Sequence, residues 1–440
     1  MSGSERVAVR WRESLRPVRM QRVSVTAGLD DLREALVTTG LQGCVEIDQG
    51  EQAPDAAAQP DRPDPVERYA ATAARRAGAA AVVGWCPADD VPRLAARLSE
   101  VGAALVPLPR PRGVDPPTLL RDAGPAHRAF SPLVRAYGTV PYADLNPTLL
   151  AGLCYVVMFG LMFGDAGHGA MIVACAVVLR SGRITALAGI RHLWPFVAAA
   201  GAAAMAVGVL YGECFGPTGI VPALWLKPLD EPLRLLGYAI GLGAVLLAVS
   251  YGVGTANRWR EAGARAALWA PSGIAGAGLF LGVAVLAVGA LTHCGAVQAV
   301  GGTLAVLGAA AAAIGLAARA PGGAAGGLQV GIGLFDLVTR IGSNAISFAR
   351  IAAFGLTHAA LSAVVWQGTA GLARHGPAAL AGAVVLFALG NAAAFALEGL
   401  VVAVQAMRLE YYELFSRIFD AEGRPFRPFR LSARPPEVDS

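Results

Sequence analysis

The sequence predicts a mainly α-helical polytopic membrane protein, with about eight transmembrane helices, the last two long and tilted, and a small N-terminal α/β cytoplasmic domain. Three observations predict it. The 440 residues are 55% hydrophobic and only 15% charged, with a mean hydropathy of +0.52, a balance that suits many spans and a modest soluble part. Charge is concentrated before about residue 135, whereas residues 147 to 410 are mostly Ala, Gly, Leu and Val. Within that apolar region polar residues recur at helical spacing, and one of them, Arg350, cannot lose its charge.

Residues 1–135 read as two short α/β units. Arg22–Val25 forms a strand, Asp30–Leu36 an amphipathic helix and Cys44–Ile47 a second strand. Residues 48–66, rich in Pro, Gln, Ala and Asp, form a linker, followed by a short helix at Val66–Arg76. The second unit runs from a strand at Ala80–Trp85 through a helix at Val91–Leu98 to a strand at Ala103–Val106, and Pro107–Pro117 leads on. No cleavable signal peptide is visible, because the first apolar run of bilayer length begins near Leu149, so this part is expected in the cytoplasm. The membrane domain is placed at 136–416 and a cytoplasmic tail at 417–440.

Eight apolar segments occupy 148–163, 166–180, 193–212, 232–255, 267–291, 296–318, 330–367 and 378–415. Arg180, Arg183, Arg191, Arg258, Arg260, Arg265 and Arg319 fall in alternate loops, and Arg417, Arg424, Arg427 and Arg430 follow the last segment. Lys227, Arg234 and Arg374 are the sparser charges of the opposite loops. The positive-inside rule then puts both termini in the cytoplasm, with Arg417 to Arg430 as topology determinants and lipid-headgroup contacts. Topology explains the net charge of +5 better than nucleic-acid binding does, so none is expected. The six cysteines are scattered without metal-ligand spacing and read as free buried thiols, so no metal and no cofactor is expected.

Arg350 at bilayer depth costs roughly 3 kcal/mol by insertion scales, or above about 10 in simulations. On a wheel of about 100° per residue, Asp336, Ser343, Ser347, Thr357 and His358 share its sector, with Arg340 at the edge and Asn344 beyond. In lipid such groups would each cost several kcal/mol, so the stripe must face protein or water. Asn391, Glu398 and Gln405 recur at seven-residue spacing on the next segment, and Arg408 lies about 15 Å along the helix from Glu398. Two such helices can line aqueous clefts that stop short of meeting, with a fixed guanidinium between them. The competing readings are structural: an Arg350–Glu398 ion pair, a packed core His358, interhelical hydrogen bonds from Gln405, Ser343, Ser347, Asn344 and Asn391, and a snorkelling Arg340.

At these residues the chain resembles the membrane subunit a, or subunit I (the 116 kDa subunit family), of V-type and A-type rotary ATPases. Phe159–Gly169, with its Gly-Asp-Ala-Gly-His-Gly run, resembles the family's turn between its first two membrane helices. Tyr211–Gly216 resembles the end of its third helix, and Ser347–Arg350 with Leu356–Ala359 the segment bearing its essential arginine. Glu398-Gly399, Arg408–Glu410, Phe415-Ser416 and Glu422–Phe429 resemble its final helix and terminus. The resemblance implies that Arg350 meets a rotor carboxylate with Arg408 as its partner, and that Glu398 and His358 also serve ion translocation. It implies half-channel lining by Asp336, Ser343, Asn344, Ser347, Asn391, Gln405, Asp165, His168 and Glu213. The implied partners are a proteolipid c-ring bearing membrane carboxylates, peripheral-stalk and central-stalk subunits, and the lipid of the cell membrane. Relatives carry a long helical hairpin where residues 48–66 stand here, so the arm is expected to be abbreviated.

The function expected is that of the static membrane subunit of a rotary ATPase, coupling rotation to translocation of H⁺ or Na⁺. No Gly-Lys-Ser/Thr phosphate loop occurs, so ATP would bind on other subunits. The rivals are a stand-alone secondary transporter, which inverted repeats would favour, and a non-pumping assembly or scaffold homologue.

Overall fold

The computed structural model describes residues 16–48, 64–111, 113–121, 124–419 and 422–431. Most of the expected linker, 49–63, and the last residues of the tail, 432–440, lie outside them. The described residues fall into two compact units. One holds those of Met1–Arg121, Thr139–Tyr142 and Glu422–Ser440, and the other those of Asp122–Gly138 and Ala143–Ala421.

In the first unit the strands are β1 (Met20–Gly28), β2 (Glu46–Ile47), β3 (Ala74–Arg76), β4 (Ala79–Pro87) and β5 (Ala104–Leu108). The helices α1 (Leu32–Gln42), α2 (Pro65–Ala71) and α3 (Val91–Ser99) lie between them. The sheet order is β2-β4-β1-β5, all pairs antiparallel. The two α/β units expected from sequence are therefore interleaved in one split βαβ sheet, because β1 takes both of its neighbours, β4 and β5, from the second unit. Alternation buries Val23, Val25 and Ala27 of β1 in one core with Leu36, Leu94 and Leu98 of α1 and α3. The helix expected over Val66–Arg76 ends at Ala71. Beyond it, Ala77 (φ 48°) and Gly78 (φ 81°) make a two-residue turn that folds β3 back on β4.

The C-terminal residues complete this unit. Thr118 bridges Pro425, the Arg427 backbone N–H donates to Glu46 Oε2 at 2.6 Å, and Phe429 packs edge-on to Tyr69 with centroids 4.8 Å apart. Arg424, expected at lipid headgroups, instead stands 3.3 Å from Glu46. Burial raises the Glu46 carboxyl above its usual range, against the pull of the Arg427 N–H and Arg424.

The second unit is helical: α4 (Pro125–Tyr137), α5 (Thr148–Met162), α6 (Ala166–Ser181), α7 (Trp194–Tyr211), α8 (Pro232–Trp269), α9 (Ile274–Leu291), α10 (Gly295–Ala317) and α11 (Ala324–Ala373). The last rod comprises α12 (Pro377–Ala393), α13 (Gly399–Leu409) and α14 (Ser416–Ile418), joined by π-helical Ala394–Glu398 and Glu410–Phe415. Among the described residues, six helices are long and apolar enough to cross a membrane, and α5 and α6 are shorter apolar helices, as the sequence leads one to expect. The chain is thus a mainly helical, polytopic membrane protein with a small N-terminal α/β region. Met158, Met162, Phe163, Phe348 and Ile351 occupy the centre of its core. At Gly208 of α7 a Cβ would collide with the Ala166 backbone nitrogen, and at Gly169 of α6 with that of Met205. These glycines let the two helices approach closely and seat the turn that carries Asp165.

Candidate ion-path site

Helix α11 carries two polar stations, at Arg350 and His358, about 12 Å apart for eight residues of helix. Phe348 and Ile351, beside the first, are fully buried.

At the first station Arg350 Nε donates to the Ser347 carbonyl at 3.0 Å and Nη2 lies 3.5 Å from Glu413 Oε1. The Arg350 side chain is 26% exposed, whereas that of Glu413 is buried. The cation is therefore balanced on one side and open on another. With the Asn344 amide nitrogen turned to Glu413, it donates to Oε2 at 2.6 Å while its oxygen accepts from Arg417 Nη2 at 2.9 Å. Arg417 is buried and lies over the Tyr251 ring, 5.4 Å from its centroid, so it is a core residue of the second unit rather than a headgroup contact. Arg408 is exposed, 6.0 Å from the centroid of Tyr412.

At the second station His358 Nδ1 and Glu398 Oε2 are 2.6 Å apart. Asp165 caps α6, accepting from the backbone N–H of His168 at 2.9 Å, Phe215 at 3.0 Å and Gly216 at 3.0 Å. The Tyr211–Gly216 motif thereby wraps the Asp165 carboxylate, which explains why those two separate sequence motifs belong together. His168 packs against His358 with centroids 5.4 Å apart, and Phe163 against His358 at 4.6 Å. Glu213 is buried beside them, its Oε2 without a hydrogen-bond partner among the described residues.

The remaining sequence candidates scatter. Asp336 pairs with Arg340 at 2.8 Å on an exposed face, and Ser343 is exposed. Ser347 acts through its carbonyl. Asn391 donates to Phe387 of its own helix at 2.9 Å, and Gln405 Oε1 has no partner among the described residues. The seven-residue face of Asn391, Glu398 and Gln405 is broken, since the π-helical Ala394–Glu398 intervenes and each inserted residue turns the face by roughly 100°. The carboxylate at Arg350 is therefore Glu413, on the second π-helical stretch, while Glu398 meets His358. Glu413, the fully buried Glu410 and Arg417 were not legible as site residues. The signal available for the first two was a pair of acids three apart at the end of an apolar helix, a pattern that ordinarily marks emergence into water.

Comparison with known proteins finds relatives of one kind. Residues 72–221 match the model of the V-type ATPase 116 kDa subunit family. The chain is 26% identical to A-type ATP synthase subunit I of Thermococcus kodakarensis over 374 residues, 80% of this chain and 54% of that one. It is 32% identical to V-type ATP synthase subunit I 2 of Treponema pallidum over 147 residues, 30% of this chain and 32% of that one. It is 31% identical to the human V-type proton ATPase 116 kDa subunit a 3 over 155 residues, 32% of this chain and 19% of that one. The chain spans about half the length of the A-type relatives it matches along most of its own. Residues 72–221 thus match the V-type ATPase 116 kDa subunit family, and most of the chain is similar to A-type ATP synthase subunit I.

Proposed function

We propose that this chain is the stator membrane subunit of a rotary V/A-type ATPase and that it forms two offset ion half-channels against a ring of proteolipids. The single observation that carries the proposal is Arg350, a permanent cation part-way along a membrane-length helix, balanced by Glu413 yet a quarter exposed. A ring carboxylate arriving at about 4 Å would gain about 4 kcal/mol at an effective dielectric of 20, enough to drive proton release and weak enough to reverse. Arg408, exposed on the adjoining rod, extends the positive face. The His358–Glu398 pair, with Asp165, His168 and Glu213 behind it, serves one half-channel. Asp336, Ser343, Asn344, Ser347, Asn391 and Gln405 are assigned to the lining of the two paths.

The ion enters one half-channel, neutralises the ring site, travels with the ring and leaves by the other. Moving one charge across 100 mV takes about 2.3 kcal/mol, which ATP hydrolysed on other subunits supplies. The subunit would lie in the cell membrane with both termini in the cytoplasm, bound to peripheral-stalk and central-stalk subunits. ATP-driven acidification in vesicles tests the assignment. Pumping is expected to vanish in Arg350→Ala while ATP hydrolysis by the head persists, and full pumping in that variant would refute it. A purified chain that transports solute without a ring would favour a secondary transporter instead.

A further inference from the structure

We infer that Asp165, His168 and His358 form a binding site for a divalent transition metal of the Zn²⁺ class, joining the start of α6 to α11. Their candidate ligand atoms all lie within 4.8 Å of one another, and all three residues are buried. Sequence inspection finds no such site, because 190 residues separate His168 from His358. Four features favour a metal over a hydrogen-bonded cluster.

The first is unmet capacity. Both ring nitrogens of His168 and Nε2 of His358 are buried without a hydrogen-bond partner among the described residues. Buried imidazole is seldom left so. The second is spacing. His168 Nδ1 stands 3.4 Å from Asp165 Oδ1, long for a hydrogen bond, but near the roughly 3.3 Å between neighbouring ligands of a tetrahedral Zn²⁺ with bonds of about 2.0–2.1 Å.

The third is the orienting contact. His358 Nδ1 meets Glu398 Oε2 at 2.6 Å, which fixes the proton on Nδ1 and leaves the Nε2 lone pair for a metal. This is the carboxylate–histidine–metal arrangement. Asp165 is held equally firmly, by three backbone N–H groups. The fourth is charge. Glu213 is buried near both Asp165 and Glu398, yet no Lys or Arg pairs with any of the three among the described residues. A dication supplies the missing positive charge, with water or Glu213 completing a four-coordinate set. Two imidazoles and a carboxylate select Zn²⁺, Co²⁺ or Ni²⁺ over Mg²⁺ or Ca²⁺.

The test is titration of the detergent-purified full chain with Co²⁺, followed by visible absorption. Expected are one Co²⁺ per chain with tetrahedral d–d bands, no thiolate charge-transfer absorption, and displacement by Zn²⁺. His168→Gln should lose the bands, and Glu398→Gln, which removes only the orienting carboxylate, should weaken binding 10- to 100-fold. Cys44→Ser and Cys294→Ser should bind as the native chain does. Absence of the bands in the native chain would overturn the inference, as would unchanged binding in folded His168→Gln and His358→Gln. Because the readout involves neither rotation nor transport, its failure leaves the proposed function standing, and the reverse also holds.

Discussion

His358 Nδ1 and Glu398 Oε2 meet at 2.6 Å although forty residues separate them in the chain. The π-helical Ala394–Glu398 ends on that glutamate and re-aims it from the face its heptad spacing would give. The pair therefore depends on local backbone geometry as much as on the two side chains.

Glu398→Gln should reduce ATP-driven ion transport at least tenfold while the complex still assembles. Removal of a charge-assisted hydrogen bond should also destabilise the chain by about 1.5–3 kcal/mol. Acidification of vesicles and thermal unfolding in detergent check the two effects separately. Unchanged values in both would show that the contact serves neither.

The Arg350 station makes a different demand. Asn344 joins the Glu413 carboxylate to Arg417 through both ends of its amide. Asn344→Leu leaves buried Glu413 and Arg417 short of a partner, and should cost about 1–3 kcal/mol. Asn344→Asp should be worse, since it sets a second carboxylate against Glu413. Thermal unfolding of the two variants ranks them, and an Asp variant as stable as the native chain would contradict the contact.

Asp144, just before α5, offers a pH test. It is fully buried, and burial together with a shared hydrogen bond and repulsion from Glu261 pushes its carboxyl up to about 8, against the pull of Arg258 and Arg260. A raised folded value means that its stabilising contribution is complete below the unfolded value of 3.8 and is lost as pH rises through about 8. Asp144→Asn has nearly the same shape and never ionises. Its unfolding midpoint should therefore exceed that of the native chain by an amount that grows from about pH 4 to pH 8 and then levels off. A constant difference across that range would sink the assignment.

Phe429 tests the role of the C-terminal residues. It is buried among Tyr69 and the core of the α/β unit, and the Arg427 N–H next to it satisfies Glu46. Phe429→Ala should destabilise that unit by about 3–5 kcal/mol. Hydrogen exchange along β2 and β4 would report the loss, and unaltered protection there would show that the segment merely rests on the surface.

How much of this was legible in advance varies by element. The long apolar helices were, because hydropathy over about twenty residues is a property of the segment alone. So were the strands β1 and β4 and the helices α1 and α3, whose alternation and 3.6-residue spacing are local. Local propensity extends the helix from Val66 to Arg76, whereas Ala74–Arg76 form β3, because alanines and arginines favour helix unless sheet pairing overrides them. Arg350, His358 and Glu398 are legible as polar residues in apolar helices, but the pairing of Arg350 with Glu413 is not. A helical wheel assumes unbroken α-helix, and the last rod contains two π-helical stretches.

The sequence by itself determined the class of the molecule, the spans, and the presence of a fixed membrane charge with acids and imidazoles near it. Composition and periodicity act within one segment, so they survive without knowledge of the neighbours. Tertiary structure alone decided that Glu413 balances Arg350, that Asp165 and His168 come to His358, and that the residues after Glu422 complete the α/β unit. Each of those depends on close approach between segments far apart in the chain, set by small residues, caps and changes of helical phase that no single segment encodes.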